Sequence, residues 1–440
     1  MKISLRSLLC FVAILAVGCS DNATNVGDSD NALDISEQLK CVDGLSSNKY
    51  ECHNIDLVAT VSPQRLLVEP LDEGRALNDI WGWTDPETGT EYALVGLVDG
   101  VAFVDLSTPS EPQVIGKLEE PESVSKTSGK ARKRAELMPE EKSSWRDVKV
   151  YQNHIYVVSD AQPHGMQVFD LTRLRGAEDT PVIFEEDYHY DGFGKAHNIA
   201  INEETGYGYV GGSDTYGGGL HIIDLRNPLD PQFAGFHSDS TVGYDSTGYV
   251  HDTQCVVYDG PDADYQGDEI CMNSSETHLV IANVTDKEQT KTIAKSSYEN
   301  NGYVHQGWLT EDHRYFLLDD EFDEAQNEIN TQTYIWDLQD LDNPEVIGIY
   351  EASTISIDHN QYVKGSYTYQ ANYTAGLRIL SLDNIGNGEL EEVAYFDTFP
   401  GSDGRFFDGA WSNYPFFESG IIIVSDVTNG LFILYPRYNS

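Results

Sequence analysis

Basic residues are scarce in this chain. Only 27 Lys and Arg stand against 73 Asp and Glu, a formal charge of −46 over 440 residues. That imbalance argues against nucleic acid as a partner, because phosphates demand a basic face, and against direct binding to anionic lipid headgroups. Familiar catalytic signatures are missing as well. There is no Gly-x-Ser-x-Gly elbow, no phosphate-binding glycine loop and no His-Glu-x-x-His. No Cys-x-x-Cys occurs, which weakens any reading as a thiolate metal site. The apolar run over 8–17 is too short to span a bilayer.

That run belongs to a targeting segment. Lys2 and Arg6 precede it, and it ends in Leu15-Ala16-Val17-Gly18-Cys19, a lipoprotein-type box in which Cys19 receives the lipid. Residues 1–18 are read as a signal peptide. Residues 19–40, rich in Asp, Asn and Ser, are read as a lipidated cysteine with a flexible tether. The expected location is the bacterial cell envelope, with the membrane engaged through the lipid on Cys19. Ser20 after the cysteine favours the outer membrane or cell surface. In that oxidising setting Cys41, Cys52, Cys255 and Cys271 allow three pairings. The local one, Cys41–Cys52 with Cys255–Cys271, closes two short loops and is the expectation.

What is abundant is repetition. A Val/Leu-aromatic-Ile-Asp strand recurs at 101–105, 166–170, 220–224, 279–283, 333–337, 377–381 and 431–435. Ahead of each copy sits an Asp or His: Asp79, Asp147, His197, His251, His305, His359 and Asp408. A unit of about 50 residues rich in short strands is a blade signature. In the third unit, runs beginning at His197, Tyr207, Leu220 and Gln232 are separated by turn residues, which gives four antiparallel strands. The expected fold is therefore all-β, a seven-bladed propeller of four-stranded antiparallel blades over 41–437. The seventh unit lacks an outer strand and 55–61 is spare, so the N-terminal strand is expected to close the last blade and remove an exposed edge. Residues 119–143, with the basic stretch 126–134, read as a mobile insertion.

The repeated strand resembles the LVIVD repeat of bacterial surface propellers. Longer motifs resemble the choice-of-anchor B family. They include Asn78-Asp79-Ile80-Trp81-Gly82-Trp83, Ser144-Trp145-Arg146-Asp147-Val148, Ala196-His197-Asn198-Ile199, His251-Asp252-Thr253-Gln254-Cys255 and Asp319-Asp320-Glu321. The resemblance covers nearly the whole mature chain. It implies a surface-anchored propeller and carries no established reaction.

Two places invite chemistry. The seven Asp/His positions are expected to converge near one mouth of the channel, where four imidazoles with nearby carboxylates can hold a divalent cation. Alternatively they tie each blade to the next. Between Cys255 and Cys271, Asp262, Asp264, Asp268 and Glu269 offer oxygen ligands suited to calcium. The run 319–324 is a further acidic cluster, read as a solvated loop at a strand end or, alternatively, as an ion-binding one. Tyr303, Trp308, Tyr369, Tyr373, Phe406, Phe407 and Trp411 fall near strand or loop ends, where aromatics stack on sugars or peptides or pack the core.

The leading functional expectation is a monomeric, non-catalytic scaffold that binds an envelope or extracellular protein or glycan. Calcium or another divalent cation is the cofactor this reading admits. The competing expectation is a metal-dependent hydrolase or lyase using the His/Asp ring.

Overall fold

Strict alternation between two covered faces explains why the repeated strand is apolar at most positions. In Leu220–Asp224, Ile222 packs in a cluster with Cys271 and Ala282, while its neighbour Ile223 packs with Tyr156 and Val168 on the other face. Both faces of the sheet are covered by neighbouring sheets, so the strand is largely apolar and its interior polar side chains are bonded, as His221 is to Tyr190. The terminal Asp then turns the chain. Asp105 accepts the backbone N–H of Ser107, Asp170 that of Thr172, Asp224 that of Arg226, Asn283 that of Thr285 and Asp337 that of Gln339, each two residues on. Ser381 plays the same part for Asp383. The phrase thus encodes a buried strand followed by a side-chain-capped turn.

The computed structural model describes residues 33, 35–68, 74–121, 143 and 145–438. The chain separates into Met1–Asp34 and Ile35–Ser440. The signal peptide, Cys19, most of the tether and nearly all of the basic insertion lie outside the described residues. Within Ile35–Ser440 seven sheets follow in chain order as blades. Blade 1 runs from Leu77–Thr84 to Gln113–Glu119, blade 2 from Arg146–Tyr151 to Tyr188–Tyr190 and blade 3 from Asn198–Asn202 to Gln232–His237. Blade 4 runs from Asp252–Val257 to Lys291–Ser296, blade 5 from Val304–Leu309 to Glu345–Glu351 and blade 6 from Asn360–Lys364 to Glu391–Phe396. Blade 7 comprises Ala410–Tyr414, Ile422–Asp426, Gly430–Pro436 and, from the other end of the chain, Ile55–Val61.

The closing strand pairs antiparallel, from Ile55 opposite Pro436 to Val61 opposite Leu431. Gly430 makes the approach possible. Its φ is +101° and a Cβ there would lie 2.2 Å from the Val61 carbonyl oxygen. Both expected disulfides form. Cys41–Cys52 holds the hairpin ahead of the closing strand, and Cys255–Cys271 joins directly opposed residues of blade 4.

Two edge additions were not legible beforehand. Tyr50–His53 and Leu45–Ser46 extend blade 6 outward, and Val182–Phe184 leaves the blade 2 sequence to pair in parallel with the outer strand of blade 1. The core lies between adjacent blades. Phe103, Phe169 and Phe184 stack between blades 1 and 2, and Phe396 and Phe432 between blades 6 and 7.

An ion pair adds a further tie between the first two blades. Arg175 donates through Nε and Nη2 to the two oxygens of the buried Asp85, at 2.7 and 2.5 Å. Its hydrogen bonds hold the Asp85 carboxyl down at about 2. A depressed carboxyl contributes stability above its unfolded pKa and loses it as pH falls through the folded value. Arg175→Met should therefore destabilise the fold at neutral pH, because the Asp85 carboxylate loses its donors. The deficit should shrink as pH falls from about 4 to 2, and urea melts across that range check it. An equal deficit at pH 2 and 7 would contradict the assignment.

Candidate functional site

The innermost strands carry two adjacent polar belts. The first is aromatic. His197, His251, His305 and His359, from blades 3 to 6, follow one another with ring centroids 4.2, 4.3 and 4.5 Å apart. Trp411 of blade 7 continues the row 4.3 Å from His359, and Trp145, just ahead of blade 2, stacks on Trp411 at 4.6 Å. Each of His251, His305 and His359 reaches the next blade through Nδ1, to the backbone oxygens of His305, His359 and Trp411 at 3.0, 3.1 and 2.6 Å. A carbonyl only accepts, so Nδ1 carries the proton and Nε2 the lone pair. Burial holds the His251 and His305 imidazoles well below their usual range and His359 at about 3. His197 differs. Burial works against its charge, but Asp160 at 2.6 Å outweighs this and holds it at about 9.

Asp79 and Asp147 do not occupy this row. They lie in the second belt, one residue further along each strand, with Asn198, Asp252 and Gln306. Asp79 accepts from Val148 N at 3.3 Å and Asp147 from Ile199 N at 2.6 Å, each on the following blade. Asn198 donates to Asp252 at 2.9 Å, and Gln306 exchanges hydrogen bonds with Gln361 at 3.0 Å. Lys149 sits among the acids, 3.1 Å from Asp79 and 2.6 Å from Asp147. Asp408 joins neither belt. It lies 3.9 Å from Arg75 Nε, and Trp411 holds the equivalent position in blade 7. The interval from His359 to Trp411 is 52 residues, close to the 54 from His251 to His305. The period, rather than the search for an acid, was the signal to follow.

The expected calcium loop does not assemble. Glu269 is buried and fully engaged, accepting from Asn202, Thr205, Tyr209 and Lys287. Its place in a strand opposite Val257 turns it toward blade 3 and away from the hairpin tip. Asp268 accepts from Asn283, and Asp264 donates its backbone N–H to Asp262. Asp262 instead groups with Asp340 and Asp342 of blade 5 at the surface.

The run 319–324, expected to be solvated, is largely buried. Asp319 accepts from His305 Nδ1 and Gln306 N, and Asp320 from the backbone of Phe322 and Asp323 and from the Tyr298 hydroxyl. Glu321 accepts from the Tyr373 hydroxyl at 2.8 Å, and burial pushes its carboxyl up to about 7. Its two oxygens stand 3.7 and 3.6 Å from Nε2 of His305 and His359. Repeat spacing alone does not point to Glu321, since it lies on a loop outside the repeated phrase.

Further along the same inner strands a cavity of about 310 Å³ opens. Trp81, Trp308 and Tyr362 wall one side, with Trp308 and Tyr362 edge to face at 4.9 Å. Lys149, Gln254 and Gln306 supply polar groups. Trp308 was among the aromatics singled out in the sequence; Trp81 and Tyr362 were not.

Fold and site together define an all-β, seven-bladed propeller with a polar channel. No family model matches the chain, nor does any curated protein. Among solved structures, the β-propeller domain of Cps50 (Swd1) from Myceliophteria thermophila is similar at a TM-score of 0.48. The match has 12% identity and covers 78% of this chain and 93% of that one. The blade count rests on the seven sheets described above.

Proposed function

We propose that this chain is a choice-of-anchor B type propeller, held at the bacterial cell envelope by lipid on Cys19, that acts as a monomeric, non-catalytic module binding an envelope or extracellular glycan or protein. The observation that carries the binding reading is the 310 Å³ cavity, which combines three aromatic faces with a few convergent polar groups. Trp81 and Trp308 are only partly buried, so their rings remain available for stacking. The histidine row supports a scaffold over a four-histidine catalytic centre, since the rings follow one another from blade to blade at 4.2, 4.3 and 4.5 Å and, among the described residues, only His305 and His359 of the four share a group with a carboxylate at metal-binding separation.

The test is a titration of the full chain with envelope oligosaccharides and peptides, read by tryptophan fluorescence. Trp308→Ala should weaken binding by about 30-fold, the scale of an aromatic hot spot, and because Trp308 also packs against the cluster of Leu317, Ile335 and Val363, a melting curve measures the accompanying loss of stability. Equal affinity in the variant would remove this cavity from the function. Cys19→Ser should release the protein from membranes, and persistent membrane association would sink the anchor assignment.

A further inference from the structure

We propose that His305, His359 and Glu321 form a binding site for a divalent first-row transition-metal ion at the mouth of the channel. This site is distinct from the aromatic cavity and stands whether or not that cavity binds a glycan.

The geometry is that of ligands waiting for a centre. One donor atom from each of the three side chains lies within 4.8 Å of the others. The Nε2 atoms stand 3.7 and 3.6 Å from separate Glu321 oxygens, too far for a hydrogen bond. Each gap taken singly is close to the edge of a tetrahedron with metal–ligand bonds of 2.0–2.1 Å, about 3.4 Å, and because they end on different Glu321 oxygens the carboxylate must turn to present one oxygen or bind through both. Both imidazoles are already in the tautomer a metal requires. His305 Nδ1 donates to the His359 carbonyl with Asp319 alongside, and His359 Nδ1 donates to the Trp411 carbonyl. Such outer contacts fix ring orientation and leave Nε2 to coordinate. Tyr373 fixes the third ligand through its 2.8 Å hydrogen bond to Glu321. The side chains are 1%, 4% and 12% exposed, so little ordering remains to be done on binding.

Two imidazoles and one carboxylate select zinc, cobalt or iron(II) over calcium, which seeks six to eight oxygens. Three protein ligands also leave coordination open. A separate space of about 30 Å³ lies beside the two imidazoles, walled by His305, His359 and Trp411 together with Asp79, Asp147 and Asp252, and Glu321 is not part of its wall.

The experiment is a Co²⁺ titration of the metal-stripped full chain, followed by visible absorption and displacement with Zn²⁺. About one Co²⁺ per chain is expected, with bands of low coordination number and no competition from Ca²⁺. Glu321→Gln, nearly isosteric, should abolish the bands while leaving the circular dichroism spectrum intact. Should it fail to fold, His359→Gln takes its place. Tyr373 is a positioning residue, and Tyr373→Phe should weaken Co²⁺ about 10- to 100-fold with the bands retained. The double variant Asp340→Asn, Asp342→Asn should bind Co²⁺ as the parent does. Absence of Co²⁺ bands in the parent, parent-like binding by Glu321→Gln, or loss of binding in the Asp340/Asp342 variant would each overturn the assignment.

Discussion

Lys149→Met should destabilise the fold by about 3–5 kcal/mol, the cost of stranding buried charge by removing its partner. Lys149 is 10% exposed at its side chain and bonds Asp79 and Asp147, which are themselves 5% and 7% exposed. Its ammonium also sits 4.8 Å over the Trp81 ring. Asp252 adds a third acid to this part of the channel, and its carboxyl also feels the Lys149 charge. Methionine matches the stem in length and restores none of the charge. The loss should depend on pH in a defined sense. Burial pushes the Asp79 and Asp252 carboxyls up to about 7 despite the pull of Lys149. Each folded pKa lies above the unfolded value of 3.8, so the folded state takes up protons and stability declines as pH rises through that interval. Without the lysine the decline steepens, and the deficit should be larger at pH 8 than at pH 5. Denaturant melts at both pH values measure it. A deficit independent of pH would mean that Lys149 stabilises through packing rather than charge.

Removing the chain through Val61 should abolish cooperative folding. Ile55, Leu57, Val58 and Val61 are 0–4% exposed in the closing strand. At about 1.5–3 kcal/mol for each buried apolar side chain, their loss comes to about 6–12 kcal/mol, comparable with the whole net stability of about 5–15 kcal/mol typical of a folded protein. The truncation also bares the edge of Gly430–Pro436, so self-association through that strand should follow. Thermal melts and size-exclusion chromatography report both effects. A truncated chain that melts cooperatively near the parent temperature would show that the ring closes without its N-terminal strand.

The elements that could be read in advance are those written in local chemistry. Ile222 and Ile223 face opposite neighbours because successive strand side chains alternate, and Asp224 turns the chain by bonding two residues on. Repeated seven times with variation, such patterns set the blade count. The spare run Ile55–Val61 and the short Gly430–Pro436 ending carried the closure in the same way. Asp79 and Asp147 fall one position from the histidine row because acid and imidazole are equally suited to a polar position at the start of an inner strand. Only the hydrogen bonds to Val148 and Ile199 separate the belts. Glu269 looked like a calcium ligand beside Asp262, Asp264 and Asp268 until its strand register turned it onto Lys287 and blade 3.

Export signal, repeat period, strand character and disulfide partners depend on residues near one another in the chain, and the sequence by itself determined those expectations. Which side chains meet across the channel depends on ring closure, which brings blades separated by scores of residues to a common axis. Glu321 meets His305 and His359 because a loop after the second strand of blade 5 folds back over the mouth, and Val182–Phe184 leaves its own blade to pair with the outer strand of the preceding one. Neither event has a periodic signal. Packing between blades decides both, and only the tertiary structure showed them.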